Sequence, residues 1–122
     1  MPRRILVVDD EPKIRQLLEA LLALNHYDVL TAAGGREALD LLATEPADLI
    51  LLDVIMPGVD GWQVLRELKM SEQTRSIPVI MLTAQGDAHA VMASQELRAT
   101  DYFIKPFQAE ELLAFIRRYL PP

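Results

Sequence analysis

Five polar side chains in this sequence stand directly after short apolar runs. Asp9 and Asp10 follow Ile5-Leu6-Val7-Val8, Asp53 follows Leu49-Ile50-Leu51-Leu52, Thr83 follows Val79-Ile80-Met81-Leu82, and Lys105 follows Tyr102-Phe103-Ile104. Singly, each has an ordinary structural role. Asp9 or Asp10 can cap a helix, Asp53 can sit in a turn, Thr83 can be a second cap, and Lys105 can be a solvated surface lysine. Together they are three carboxylates, a hydroxyl and an ammonium group, and they suit one site for a cation and a polyanion. Like charges a few ångströms apart destabilise one another, so three close carboxylates invite a hard cation. Two carboxylates with a carbonyl and waters suit Mg2+, which prefers near-octahedral oxygen ligands. The cation would offset charge on an incoming phosphoryl group. Asp53 can then act as nucleophile and form an aspartyl phosphate. Lys105 is a point charge for one phosphoryl oxygen, and the Thr83 hydroxyl with the neighbouring N–H of Ala84 can bind another.

Such a site needs elements that bring four separate runs to one edge. Asp48-Leu49-Ile50-Leu51-Leu52-Asp53, stopped by Met56-Pro57-Gly58, reads as a strand buried on both faces of a parallel sheet. Ile5–Val8, Tyr27–Thr31, Val79–Leu82 and Asp101–Ile104 read as further strands, with Pro78 tolerated at the opening of the fourth. Helical stripes alternate with them. Ile14, Leu17, Leu18, Leu21 and Leu22 form the first, behind Pro12 near its start and before Asn25 and His26 at its end. Ala38, Leu41 and Leu42 mark the second, Val64, Leu65 and Leu68 the third, and Leu112, Phe115, Ile116 and Tyr119 the last. The fourth, over about residues 87–98, has the thinnest apolar face: Ala88, Val91 and Met92, then Gln95. Strands alternating with helices of this length imply βα units on a parallel sheet, covered on both faces by right-handed crossovers. In an open sheet of this kind, chemistry collects beyond the carboxyl ends of the strands. All five polar residues are expected there.

The bulk properties narrow the function classes. With 122 residues, about half of them apolar, the expectation is one domain, 1–122, with no effector domain in this chain. There is no cysteine, which removes disulfides and thiolate metal sites and fits a reducing cytoplasm. No apolar stretch approaches the length of a membrane helix. The net charge of −6 argues against a direct nucleic-acid surface. Trp62 reads as packing or partner surface, and His26 and His89 as isolated surface or turn residues.

Ile5 to Glu11, Asp48 to Asp53 with Met56-Pro57-Gly58-Val59-Asp60-Gly61, Pro78 to Ala84, and Asp101 to Phe107 stand in a particular order and spacing. In this the chain resembles the receiver domains of two-component response regulators, over its whole length. The resemblance implies a doubly wound, flavodoxin-like α/β fold, with a five-stranded parallel sheet of order 2-1-3-4-5 and five flanking helices. It implies a signalling switch rather than an enzyme: a phosphoacceptor that assists its own phosphorylation and dephosphorylation. Position by position, Asp53 corresponds to the phosphorylated residue, Asp10 to a direct Mg2+ ligand and Asp9 to a ligand acting mainly through water. The carbonyl of Ile55 completes the protein ligands. Thr83, Ala84 and Lys105 correspond to the phosphoryl contacts, and Thr83 with Tyr102 to the switch pair. Lys105-Pro106 matches a bond that the family usually holds cis. The implied partners are a sensor histidine kinase or phosphotransfer protein and a downstream effector domain or target. Homodimerisation through the last helix on phosphorylation is compatible with the pattern without being dictated by it. One departure stands out: where the family commonly has a small residue and then glycine before the fifth strand, this chain has Leu97 and Arg98. A left-handed helix end is costlier for arginine than for glycine, so a differently shaped end to the fourth helix is expected.

Three rival readings are available. A receiver-like interaction module that takes no phosphate is opposed by the retention of all five polar positions. A flavodoxin-like FMN carrier needs a phosphate-cradling loop after the first strand, where Asp9-Asp10-Glu11-Pro12 would repel phosphate. An aspartate-nucleophile phosphatase places a second acid two residues after the nucleophile, where this chain has Ile55. That apolar residue cannot orient an attacking water, so a long-lived aspartyl phosphate is expected. Gln85 lies on the other side of the same path.

Overall fold

A computed structural model describes residues 3–53, 61–84, 101–105 and 108–121, with the backbone alone for 83–84 and 101–105. In chain order the elements are β1 (Arg4–Val8), α1 (Pro12–Leu24), β2 (Asp28–Ala32), α2 (Gly35–Thr44), β3 (Leu49–Asp53), α3 (Gly61–Met70), β4 (Val79–Ala84), β5 (Asp101–Lys105) and α4 (Ala109–Tyr119). The helix labelled α4 is the last of the predicted helices. The helix predicted over residues 87–98 lies outside the described residues, as do Leu97 and Arg98.

The strands pair in parallel in the order β2-β1-β3-β4-β5. Ile5 pairs with Leu49, Leu51 with Ile80 and Thr83 with Ile104. Alternation along each strand sends side chains to two cores. Leu6, Val8, Ile50, Leu52, Val79 and Met81 face α2 and α3, meeting Ala38, Leu42, Val64, Leu65 and Leu68. Ile5, Val7, Leu49, Leu51, Ile80 and Leu82 face α1 and α4, meeting Leu18, Leu22, Leu112 and Ile116. Both faces are therefore covered, and β3 is buried at every position, as its unbroken apolar run requires.

Three local expectations shift. Leu17 belongs to the apolar stripe of α1 by periodicity, yet it is 61% exposed; Leu18 and Leu22 carry that contact, with Ile14 and Leu21 half-buried. In α4 the contact is made by Leu112, Leu113 and Ile116, while Phe115 and Tyr119 only border it. Tyr27 precedes β2 instead of opening it. His26 adopts a left-handed backbone, φ 71°, and Tyr27 turns inward, where its hydroxyl donates to the Leu120 carbonyl at 2.7 Å. Arg117 Nη2 donates to Asn25 Oδ1 at 2.9 Å across the same turn. The end of α4 is thus tied to the α1–β2 turn, at the opposite end of the strands from Asp53. Among the described residues no helix is long and apolar enough to cross a membrane.

Candidate cation and phosphoryl site

The acidic residues sit where adjacent strands end. Val8 pairs with Leu52, so Asp9 and Asp53 each follow a paired strand residue and stand side by side. The N–H of Asp9 donates to the Ala32 carbonyl at 3.1 Å, which fixes the same point against the end of β2. Asp9 is 1% exposed and Asp53 7%, while Asp10 is exposed to solvent. One carboxylate oxygen from each of Asp9, Asp10 and Asp53 lies within 4.8 Å of the other two. Burying two carboxylates beside a third is costly unless opposing charge or hydrogen bonds compensate. Three carboxylates gathered this closely are an all-oxygen donor set, and they fit a hard divalent cation such as Mg2+ in preference to softer metals.

The helix-cap alternative for the aspartates does not hold for α1. Its N-cap is Glu11, with no side-chain cap hydrogen bond, and Pro12 opens the helix. Asp9 Oδ1 instead accepts the N–H of Glu11 at 3.0 Å, a short local turn that orients the carboxylate. By contrast, Glu37 in the first turn of α2 reaches back to accept the N–H of Ala33 at 2.7 Å. That contact ties the first turn of α2 to the residue before its N-cap, Gly34, and involves none of the three aspartates.

The remaining predicted residues are placed by their backbones. Asp53 pairs with Leu82, one residue before Thr83, and Ala84 pairs with Lys105 at the far end of β4 and β5. Thr83, Ala84 and Lys105 therefore share the sheet edge that carries Asp53, and Tyr102 pairs with Met81 further back along β5. Ile55, Gln85 and Pro106 lie outside the described residues. Trp62 is the second residue of α3, half-buried against the core that also holds Val64 and Leu65, in keeping with a packing role.

One residue at this site carries no sequence signal. Arg15, in the first turn of α1, is half-buried and donates from Nη1 to the backbone carbonyl of Asp9 at 2.8 Å. A long side chain reaching back six positions obeys no periodicity; only the coordinates reveal it.

The sequence pattern of the response regulator receiver domain matches residues 5–117. Sporulation initiation phosphotransferase F of Bacillus subtilis is 39% identical over 121 residues, spanning 99% of this chain and 96% of that protein. A probable transcriptional regulator, ycf27, of Cyanophora paradoxa is 48% identical over 118 residues. That match covers 97% of this chain but 48% of the regulator; the chain spans about half the length of the first curated relatives it matches. A solved receiver domain of a sensor histidine kinase from Pseudomonas aeruginosa PAO1, with a magnesium ion in its active-site cleft, superposes with a TM-score of 0.89 at 30% identity over the full length of both chains. With this fold, this strand order and these matches, the chain belongs to the response regulator receiver domains of two-component systems.

Proposed function

We propose that this domain is a phosphorylation-dependent switch in which Asp53 accepts a phosphoryl group from a phosphohistidine on a sensor histidine kinase or phosphotransfer protein. The observation that carries the reading is the gathering of the Asp9, Asp10 and Asp53 carboxylates within 4.8 Å of one another at the carboxyl edge of the sheet. Asp9, Asp10, Asp53 and the carbonyl of Ile55 would hold Mg2+, which when bound supplies positive charge against the phosphoryl oxygens. An Asp53 carboxylate oxygen attacks phosphorus; a P–O bond forms, and the P–N bond breaks with its electron pair left on the imidazole. Asp53 ends a fully buried strand, so its approach to the donor is set by the rigid sheet and not by a loop.

The product carries about −1.5 to −2 charges where Asp53 carried one. Thr83, the Ala84 N–H and Lys105 share the same edge and are the groups assigned to the phosphoryl oxygens. Charge-assisted hydrogen bonds from Thr83 and Lys105 are worth roughly 1.5–3 kcal/mol each. Two of them approach the ~5.5 kcal/mol needed to invert a 1:99 equilibrium. Movement of Thr83 toward the phosphoryl group, with Tyr102 filling the vacated space, would alter the face built from β5, α4 and the helix predicted before β5. That face is the assigned contact for an effector domain or target protein. The domain is accordingly a phosphoacceptor that takes part in its own phosphorylation and dephosphorylation, not a turnover enzyme.

Incubation with acetyl phosphate, followed by phosphate-affinity electrophoresis, tests the reading. Mg2+-dependent labelling of the wild type that disappears in Asp53→Asn is the expected result. Absence of labelling in the wild type would favour an interaction module that is not regulated by phosphate.

A further inference from the structure

Arg15 places a cation directly on the backbone of the acidic cluster. Among the described residues, three hydrogen bonds hold Asp9. Its N–H donates to the Ala32 carbonyl at 3.1 Å, its Oδ1 accepts the Glu11 N–H at 3.0 Å, and its carbonyl accepts Arg15 Nη1 at 2.8 Å. The first two tie Asp9 to β2 and to the start of α1. The third acts on the next peptide unit, the one that leads into Asp10. A peptide unit is planar, so fixing the direction of the Asp9 carbonyl also fixes the direction in which the Asp10 backbone sets out. Asp10 is the exposed member of the cluster, and it gains most from such a constraint. Arg15 is itself well anchored: its N–H donates to the Glu11 carbonyl at 3.1 Å in the first turn of α1, and its side chain is half-buried.

We propose that Arg15 is a positioning residue for the cation site, clamping the Asp9–Asp10 peptide so that the three carboxylates are gathered before the cation arrives. The inference rests on the reading of the cluster as a divalent-cation site. Orientation and charge make opposite demands here. As a nearby positive charge, the guanidinium repels a divalent cation, so its removal alone would tighten binding. As a clamp, its removal lets the Asp9–Asp10 peptide reorient and weakens binding. Groups that orient metal ligands typically change affinity by about 10–100-fold when lost. The lower end is expected for Arg15, because the Ala32 and Glu11 anchors of Asp9 remain.

The test is titration of the wild type and Arg15→Met with MgCl2 by isothermal calorimetry, with urea midpoints in EDTA measured alongside. Clamping predicts Mg2+ binding weaker by about tenfold in Arg15→Met, beyond any change in the EDTA midpoint. Equal or tighter binding by Arg15→Met, beside a wild type that binds, overturns the clamp and leaves the cation-site reading standing. Failure of the wild type to bind Mg2+ overturns both. A merely structural role lowers the urea midpoint and leaves the Mg2+ affinity unchanged, which also overturns the clamp. If Arg15→Met does not fold, Arg15→Gln is read by the same criteria.

Discussion

Replacing Asp53 with asparagine should stabilise the cation-free protein while removing most of its response to Mg2+. Asp9 and Asp53 are both buried, with carboxylate oxygens within 4.8 Å. Two unit charges at that separation repel by about 3.5 kcal/mol at an effective dielectric of 20, and by about 0.9 kcal/mol in bulk water. Asp10 adds a smaller amount because it faces solvent. An amide of the same shape removes this repulsion but also perturbs the further interaction that Asp53 makes. A net gain of about 1–2 kcal/mol is therefore expected in EDTA. In urea denaturation this corresponds to a midpoint rise on the order of 0.5–1 M. Addition of Mg2+ at ten times its Kd should stabilise the wild type by about 1.4 kcal/mol, and Asp53→Asn by far less. The experiment is urea denaturation of both proteins by circular dichroism, in EDTA and in Mg2+. If Asp53→Asn proves less stable than the wild type in EDTA, or gains as much from Mg2+, the argument that crowded carboxylates await a cation is refuted.

Two further substitutions test other parts of the account. Tyr27→Phe removes the hydrogen bond to the Leu120 carbonyl and should cost about 1 kcal/mol at neutral pH. Burial raises the Tyr27 hydroxyl above its usual value of 10.0, so the folded state holds this proton more tightly than the unfolded state. Its contribution is complete below pH 10 and is lost as the pH climbs through the raised value; the gap between wild type and Tyr27→Phe should narrow there, as chemical denaturation at stepped pH will reveal. Ile55→Asn puts a polar side chain that can orient water two residues after Asp53 in sequence, and it should shorten the aspartyl phosphate lifetime severalfold in a decay assay after removal of the donor; an unchanged lifetime defeats that role for Ile55.

The sheet is the most legible part of the chain because its strands are buried on both faces. Leu49 to Leu52 must be uniformly apolar when α1 and α4 pack on one side and α2 and α3 on the other, and such a run announces itself in sequence. The acidic cluster is legible for a related reason. Strand order brings the residues following β1 beside the last residue of β3, so Asp9, Asp10 and Asp53 need only the topology to become neighbours. Helix faces are less legible. Five apolar positions on α1 exceed what its contact with the sheet can cover, and Leu17 is left in solvent. Tyr27 reads as the first residue of β2 because aromatic residues favour strands; the left-handed turn at His26 redirects it toward α4. Arg15 is not legible at all, since its partner is a backbone carbonyl and every residue type offers one.

The central claim is that Asp53, among the clustered acids, is the residue that takes the phosphoryl group. Borohydride reduction of the protein after phosphorylation by acetyl phosphate and Mg2+ converts an aspartyl phosphate to homoserine, which peptide mass spectrometry then locates. The account predicts homoserine at position 53, dependent on Mg2+. Homoserine at position 9 or 10, or nowhere in the chain, would contradict it.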